Sequence, residues 1–314
     1  MRVVLFGYQT WGHKTLEALV KSRHDVVAVV THPVSEQAYE SIWSDSVEDL
    51  ARDHGIDVHL AKRPDEALME QLRQWAPDII VANNWRTWLP PEIFAMPRYG
   101  TVNLHDSLLP AFTGFSPVIW ALISGAAETG LTAHRMDGEL DTGDIITSRA
   151  VPIGPTDTST ELVEATIELI PEVLSDALDS IENGTATWTP QDLSKLTFFH
   201  KRHESDSCID WTWSAEDLDR LVRAMSDPYP NAYTFHKGQR IRIIGAHVSD
   251  GIYGGTPGRI FIKEGTGMVI VCGPYAHRGT NHGLVIDRVR TEGGDDLDAL
   301  DYFVTGGGYL TPTA

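Results

Sequence analysis

The sequence predicts a doubly wound, Rossmann-like α/β half with a mostly parallel sheet, followed by a smaller β-barrel. Three observations predict this class. The chain has 314 residues and 42% hydrophobic content, enough for two domains or one large domain with an appendage. From residue 1 to about 150, short β-branched runs alternate with helix-like stretches, the pattern of a parallel sheet covered by helices. After about residue 210, short strands punctuated by Pro and Gly take over, which is the pattern of a small barrel.

The elements follow in order. Val3 to Phe6 reads as the first strand and Gly12 to Ser22 as a helix, with Leu16, Leu19 and Val20 at core spacing. Val26 to Thr31 is the second strand. Helical patterns at Ser46 to His54 and Asp65 to Gln74 precede strands at Ile79 to Ala82 and Thr101 to His105. Pro117 to Ser124 reads as helical, as does Thr158 to Asn183, which a Thr158-Ser159-Thr160-Glu161 capping signal opens. Gly184 to Ser207 is polar and irregular. Ser214 to Asp217 cap a helix running to about Met225. Short strands are expected at Ala232 to Phe235, Arg240 to Ile244, Gly258 to Ile262, Met268 to Cys272 and Leu284 to Val289, with Glu292 to Asp301 as a solvated acidic tail. The expected division is residues 1–190, a linker at 191–205, and 206–314.

Composition narrows the function classes. Twenty-five Lys plus Arg against 44 Asp plus Glu leave a net charge of −19, which repels phosphate backbones. The expectation is therefore no nucleic-acid partner. Cationic small molecules fit such a surface, and so does simple solubility. Cys208 and Cys272 are the only cysteines and lack C-x-x-C spacing, so neither a zinc site nor a disulfide framework is signalled. The apolar run at Val3 to Phe6 is too short for a signal peptide, and nothing approaches the roughly 18 apolar residues of a spanning helix. The expectation is a cytoplasmic protein with no membrane partner. The oligomeric state is open, a homodimer being one arrangement.

Several motifs fail. The first βα turn, Gly7-Tyr8-Gln9-Thr10-Trp11-Gly12-His13-Lys14-Thr15, is close to a phosphate loop, but His13 stands between the second glycine and the lysine. It also lacks the third glycine of a dinucleotide fingerprint. Neither H-E-x-x-H nor G-x-S-x-G occurs among the 13 histidines and the serines. No metal is expected.

One constellation carries chemistry. In Asn103-Leu104-His105-Asp106-Ser107-Leu108-Leu109-Pro110, a strand places Asn103 and His105 on one face at its carboxyl end. An amide donor and a base would converge there, as acyl transfer to an amine requires. The bland alternative is a hydrogen-bonded core pair. Downstream stand Gly130-Leu131-Thr132-Ala133-His134-Arg135-Met136-Asp137 and Glu139-Leu140-Asp141-Thr142-Gly143-Asp144-Ile145.

Together these blocks resemble the folate-dependent formyltransferase family, marked by N-x-H, S-L-L-P and a later aspartate–glycine loop. The resemblance extends through Ile209-Asp210-Trp211 and the helix after Ser214, which are similar to the start of the second domain of methionyl-tRNA formyltransferases. It implies a formyltransferase fold with an OB-like β-barrel. It also implies 10-formyltetrahydrofolate as the formyl donor and Asn103, His105 and Asp141 as the catalytic set. Asn103 would hydrogen-bond the formyl oxygen as it becomes tetrahedral. His105 and Asp141 would manage charge and protons, with the general base open between them. The folate would lie against Arg86, Thr87 and Trp88 and against Asp137, Gly138, Glu139 and Leu140. Trp85 and Trp88 are read either as packing or as an apolar wall. Where the family often has an aromatic followed by arginine, this chain has Phe112-Thr113-Gly114.

Three acceptor classes compete within the family. The loop Thr31 to Asp45 is acidic and aromatic, which argues against methionyl-tRNA. Amino-sugar nucleotides remain the alternative. Phe6 to Gly12, Val81 to Trp88 and Phe198 to Arg202 most resemble formyltransferases of hydroxamate siderophore biosynthesis, which act on N5-hydroxyornithine. A hydroxylamine nitrogen is far less basic than a lysine-type amine, whose pKa is about 10.4, so it arrives neutral and nucleophilic. Its zwitterionic end needs one carboxylate and one cationic or amide partner, neither of which the sequence names. A catalytically silent folate-binding module is the non-enzymatic alternative.

Overall fold

The computed structural model describes residues 1–34, 41–274, 279–304 and 307–314. The order in the first half is β1 (Arg2–Gly7), α1 (Gln9–Val20), β2 (Asp25–Thr31), α2 (Val47–Asp53), β3 (Asp57–Leu60), α3 (Glu66–Trp75), β4 (Ile79–Asn83), α4 (Pro91–Phe94) and β5 (Thr101–His105). Then come β6 (Thr113–Gly114), α5 (Pro117–Ile123), β7 (Glu128–Arg135), β8 (Ile145–Pro152), α6 (Ser159–Glu168), α7 (Ile170–Glu182) and β9 (Phe198–Phe199). A seven-stranded sheet has the order β3-β2-β1-β4-β5-β7-β8. Its first five strands are parallel, and β7 and β8 add antiparallel pairs. The strand order reverses between β1 and β4, where open α/β sheets form a crevice at their carboxyl ends.

The sheet is buried on both faces, so its central strands read as continuous apolar runs. Val4, Phe6, Ile80 and Ala82 pack with Leu68 and Leu72 of α3. Asp65 caps that helix by accepting from the Leu68 N–H at 2.9 Å. A cap contributes about 1 kcal/mol, while each buried leucine contributes roughly 1.5–3 kcal/mol. The apolar face therefore decides where α3 lies. The two glycines of the first βα turn have a packing role: a Cβ on Gly12 would sit 2.6 Å from the Gly7 carbonyl carbon. Close backbone approach, not phosphate binding, accounts for them.

Several elements differ from the sequence reading. β3, β7 and β8 are strands that the pattern did not single out, and the expected helix over 158–183 is two helices that meet at Leu169. The acidic segment after Glu292 is not a free tail, because Asp296–Asp298 pairs with the preceding strand and Asp296 holds Arg290 at 2.6 Å. A single-sequence reading of charge sees solvation and misses partners brought from elsewhere. The loop read as acidic and aromatic lies partly outside the described residues, at 35–40.

The second half comprises α8 (Ala215–Ala224), β10 (Ala232–His236), β11 (Gln239–Tyr253), β12 (Ile260–Glu264), β13 (Gly267–Ile270), β14 (Asn281–Thr291), β15 (Asp296–Asp298), α9 (Ala299–Tyr302) and β16 (Leu310–Thr311). The antiparallel path runs β12-β13-β14-β11-β10-β16. A bridge between Arg259 and Tyr309 joins its two ends, with Leu310 N–H donating to Gly258 at 2.8 Å. This closes the path into a barrel, with β15 added outside it along β14. Ile241, Ile243, Ile270, Leu284 and Ile286 fill it, with Leu218 and Leu221 of α8. One compact unit is formed by Met1–Val118, Glu128–Pro152 and Leu162–Lys201. The other is formed by Ile119–Ala127, Ile153–Glu161 and Arg202–Ala314. No helix among the described residues is long and apolar enough to cross a membrane.

Candidate active site

Strand β5 places Asn103 and His105 two residues apart at the carboxyl end of the sheet. β7 runs antiparallel beside it with His134 directly opposite Asn103. The loop after β7 returns Asp141 to the pair. Asp141 Oδ1 lies 3.5 Å from Asn103 Nδ2, and Oδ2 lies 3.7 Å from His105 Nδ1. The Gly114 N–H donates to Oδ2 at 3.0 Å. Gln191 Nε2 donates to the carbonyls of Asp141 and Gly143, both at 2.8 Å. Gln191, in the 191–205 stretch that reads as linker in the sequence, thus holds the loop that carries Asp141.

Hydrogen-bond partners assign the ring nitrogens. His105 Nε2 lies 2.9 Å from the Phe112 carbonyl oxygen. A carbonyl only accepts, so Nε2 carries the hydrogen and the neutral ring keeps its lone pair on Nδ1, the atom facing Asp141. His134 Nδ1 lies 2.9 Å from the Arg135 carbonyl, so its Nε2 accepts from Asn103 Nδ2 at 3.1 Å. One N–H of the Asn103 amide is thereby tied. The other has only the long approach to Asp141, which a better-placed acceptor can displace.

Burial pushes the His134 imidazole below its ordinary pKa, against the opposing pull of Asp141. The unfolded chain takes up this proton near pH 6.5, while the folded chain takes it up only at lower pH. Stability from His134 is therefore complete above about pH 6.5 and falls as the pH drops through that value. His134→Gln, which keeps an acceptor for Asn103, is expected to flatten the decline in melting temperature between about pH 7.5 and 5.5. Identical slopes for the two proteins would refute a neutral buried His134.

The turns around this edge hold unusual backbone. Gln9, Asn84, Phe112 and Asp141 have φ of 53°, 56°, 57° and 53°. Such conformations cost on the order of 1–3 kcal/mol each and persist where contacts over-determine them. Phe112 is held by its N–H to Thr197 Oγ1 at 2.9 Å as well as by His105, and Asp141 is held by Gln191.

The donor-side residues divide. The Arg86 guanidinium donates to Gln9 Oε1 at 2.6 Å and lies 4.9 Å over the Tyr8 ring. Thr87 Oγ1 and Trp85 Nε1 are buried without a hydrogen-bond partner. Trp85 stacks on His32 at 4.0 Å, so it is packing, whereas Trp88 is 57% exposed. Asp137 accepts from Thr142 Oγ1 at 2.9 Å and from Glu139 N at 3.1 Å, which shapes the 137–142 turn. A Cβ on Gly138 would meet nothing, and Leu140 is exposed. Trp85 and Met136 abut the same apolar cluster from the two loops. Unmet polar atoms beside an exposed indole fit a flat heterocycle with donors and acceptors on its edge.

The sequence reading missed His134, Gln191, Asp106 and Trp11. His134 stood inside a quoted block, but its role needs the β5–β7 register. Gln191 carries no local signal. The Asp106 carboxyl accepts from the Trp11 indole N–H through Oδ2, while Oδ1 is buried without a partner. Burial pushes it up to about 6, with His105 and the Trp11 bond opposing.

Residues 1–178 match the formyl transferase family and residues 202–305 match its C-terminal domain. Methionyl-tRNA formyltransferase of Lachnospira eligens is 35% identical over 306 residues, 95% of each chain. The N-formyltransferase of Helicobacter canadensis, solved with folinic acid and dTDP-3-aminofucose, has a TM-score of 0.68 and 18% identity over 90% of this chain and 98% of that one. HypX of Aquifex aeolicus, solved with tetrahydrofolic acid, has a TM-score of 0.60 and 19% identity over 96% of this chain and 47% of that one. The expectation of no nucleic-acid partner is corrected here, because the full-length relatives are named for a tRNA substrate. Net charge sums every surface acid, whereas docking of an RNA end depends on the field local to the site. The chain belongs to the formyl transferase family.

Proposed function

We propose that this chain transfers a formyl group from 10-formyltetrahydrofolate to a small hydroxylamine acceptor, N5-hydroxyornithine of siderophore biosynthesis. The observation that carries the transfer is the convergence of Asn103, His105 and Asp141, with the tautomer of His105 set by the Phe112 carbonyl. The bound folate supplies an activated formyl carbon. Arg86, Thr87 and Trp88 and the 137–140 turn hold it, with Thr87 Oγ1 and Trp85 Nε1 as the unmet polar atoms on that side. Asn103 turns its loosely held N–H to the formyl oxygen, where charge develops. His105 Nδ1 takes the proton of the attacking nitrogen, Asp141 stabilises the imidazolium so formed, and that proton passes to the folate nitrogen as its bond to the formyl carbon breaks and tetrahydrofolate leaves. On this reading residues 1–190 do the chemistry, 191–205 connect, and 206–314 form the barrel part.

The acceptor assignment is supported by the motifs at Phe6 to Gly12, Val81 to Trp88 and Phe198 to Arg202, and by the low basicity of a hydroxylamine nitrogen. A second reading, formylation of the α-amine of methionyl-tRNA, is favoured by the relatives 31–35% identical over nearly the whole chain. The test is tetrahydrofolate release by the purified protein with each acceptor in turn, an amino-sugar nucleotide included. Release with N5-hydroxyornithine is expected. Release with methionyl-tRNA alone would install the second reading, and none with any acceptor would leave a silent folate-binding module.

A further inference from the structure

We propose that Trp11, Trp43 and Asp106 form a seat for an ammonium group of the acceptor other than the nitrogen that is formylated. The inference deepens the acceptor assignment above and rests on it.

The indoles of Trp11 and Trp43 lie 5.8 Å apart at 64°, a two-walled aromatic corner at the start of α1. Indole faces attract cations through the ring quadrupole. Trp11 also donates its N–H to Asp106, which raises the electron density of that ring and its pull on a cation. At the Trp11 edge of the corner is a buried carboxyl group. Asp106 Oδ1 is buried with no hydrogen-bond partner, and no lysine or arginine among the described residues pairs with it. A carboxylate shielded from water with half its acceptor capacity unmet is a standing cost to the fold, of the kind retained where function needs it. Burial, the largest cause, also raises its pKa.

Position and chemistry select the ligand. Asp106 directly follows His105, close enough that the imidazole acts on its titration, so the seat adjoins the reacting centre. A cation seated here belongs to the acceptor. An amino acid formylated on a side-chain nitrogen brings an α-ammonium on a short alkyl chain. An aminoacyl ester or an amino-sugar nucleotide brings only the nitrogen that is attacked.

The test compares N5-hydroxyornithine with 5-(hydroxyamino)pentanoate, which keeps the nucleophile and the carboxylate and lacks the α-amine. The wild type is expected to prefer the first by at least about 30-fold in kcat/KM, and Asp106→Asn and Trp43→Leu to reduce that ratio to a few-fold. Asp106→Asn keeps an oxygen for Trp11 and removes the buried charge, so its melting temperature should equal or exceed that of the wild type. An active wild type whose preference survives both substitutions overturns the seat, as does a lower melting temperature of Asp106→Asn with an unchanged preference. If neither hydroxylamine reacts, the acceptor assignment has failed, and tryptophan fluorescence then decides the seat. Quenching by L-norvaline but not by pentanoate, lost in Asp106→Asn, would retain it, and no such difference would overturn it.

Discussion

Replacing His105 by alanine is expected to lower kcat by about 100- to 10,000-fold, the usual range for a positioned acid or base. The melting temperature should fall by a few degrees without loss of folding, because the ring is buried and its bond to the Phe112 carbonyl is one of two that hold that turn. Asp141→Asn should act through the same ring. The amide keeps an oxygen for the Gly114 N–H, so the loop stays in place, while the charge 3.7 Å from His105 Nδ1 is gone. Asn103→Ala should cost about 100- to 1,000-fold, the range for one donor to a developing oxyanion. Its effect should fall on kcat more than on KM for the folate, since the bond strengthens only as charge develops. Steady-state release of tetrahydrofolate measures all three. Rates within about threefold of wild type for His105→Ala and Asp141→Asn would remove these residues from the chemistry.

Gly143→Ala is expected to have an effect of similar size by a different route. A Cβ at that position would lie 1.9 Å from the Arg135 carbonyl oxygen and 2.9 Å from its carbon, both backbone atoms that cannot turn aside. The loop must therefore move away from the end of β7, and Asp141 sits two residues before the clash. A displacement of about 1 Å in a reacting geometry can cost 100-fold, and overpacking of this kind typically destabilises by about 1–3 kcal/mol. The variant should lose both rate and several degrees of melting temperature. It should also weaken the Gln191 bonds, which reach the carbonyls on both sides of Thr142. A Gly143→Ala protein with wild-type rate and melting temperature would show that the loop does not approach Arg135 so closely.

Much of this was legible beforehand, for identifiable reasons. Asn103 and His105 share a face because strand side chains alternate, and two residues suffice to see it. The apolar strands of the sheet are visible because both faces are covered. β7 and β8 were not visible. β7 is buried almost throughout and carries Gly130, while β8 is half-exposed and mixed, so neither shows a clean period-two pattern. With β7 unseen, His134 could not be set opposite Asn103, and the fixed orientation of the amide was out of reach. The charge count misled for a related reason, because it has no spatial argument in it.

The sequence by itself determined the α/β class, the barrel that follows it, and the residue types and strand spacing that make acyl transfer to an amine the chemistry to look for. Those properties are local: they reside in periodicity and in motifs a few residues long. Tertiary structure decided the rest. Only the folded chain sets Asp141, 38 residues from Asn103, beside it, turns His105 so that Nδ1 faces Asp141, and brings Gln191 from a featureless polar stretch to hold the loop. Only the folded chain places the Trp11 indole against Asp106, 95 residues away. Such contacts are made by separate strands and loops meeting at one sheet edge, and no short window of sequence contains both partners.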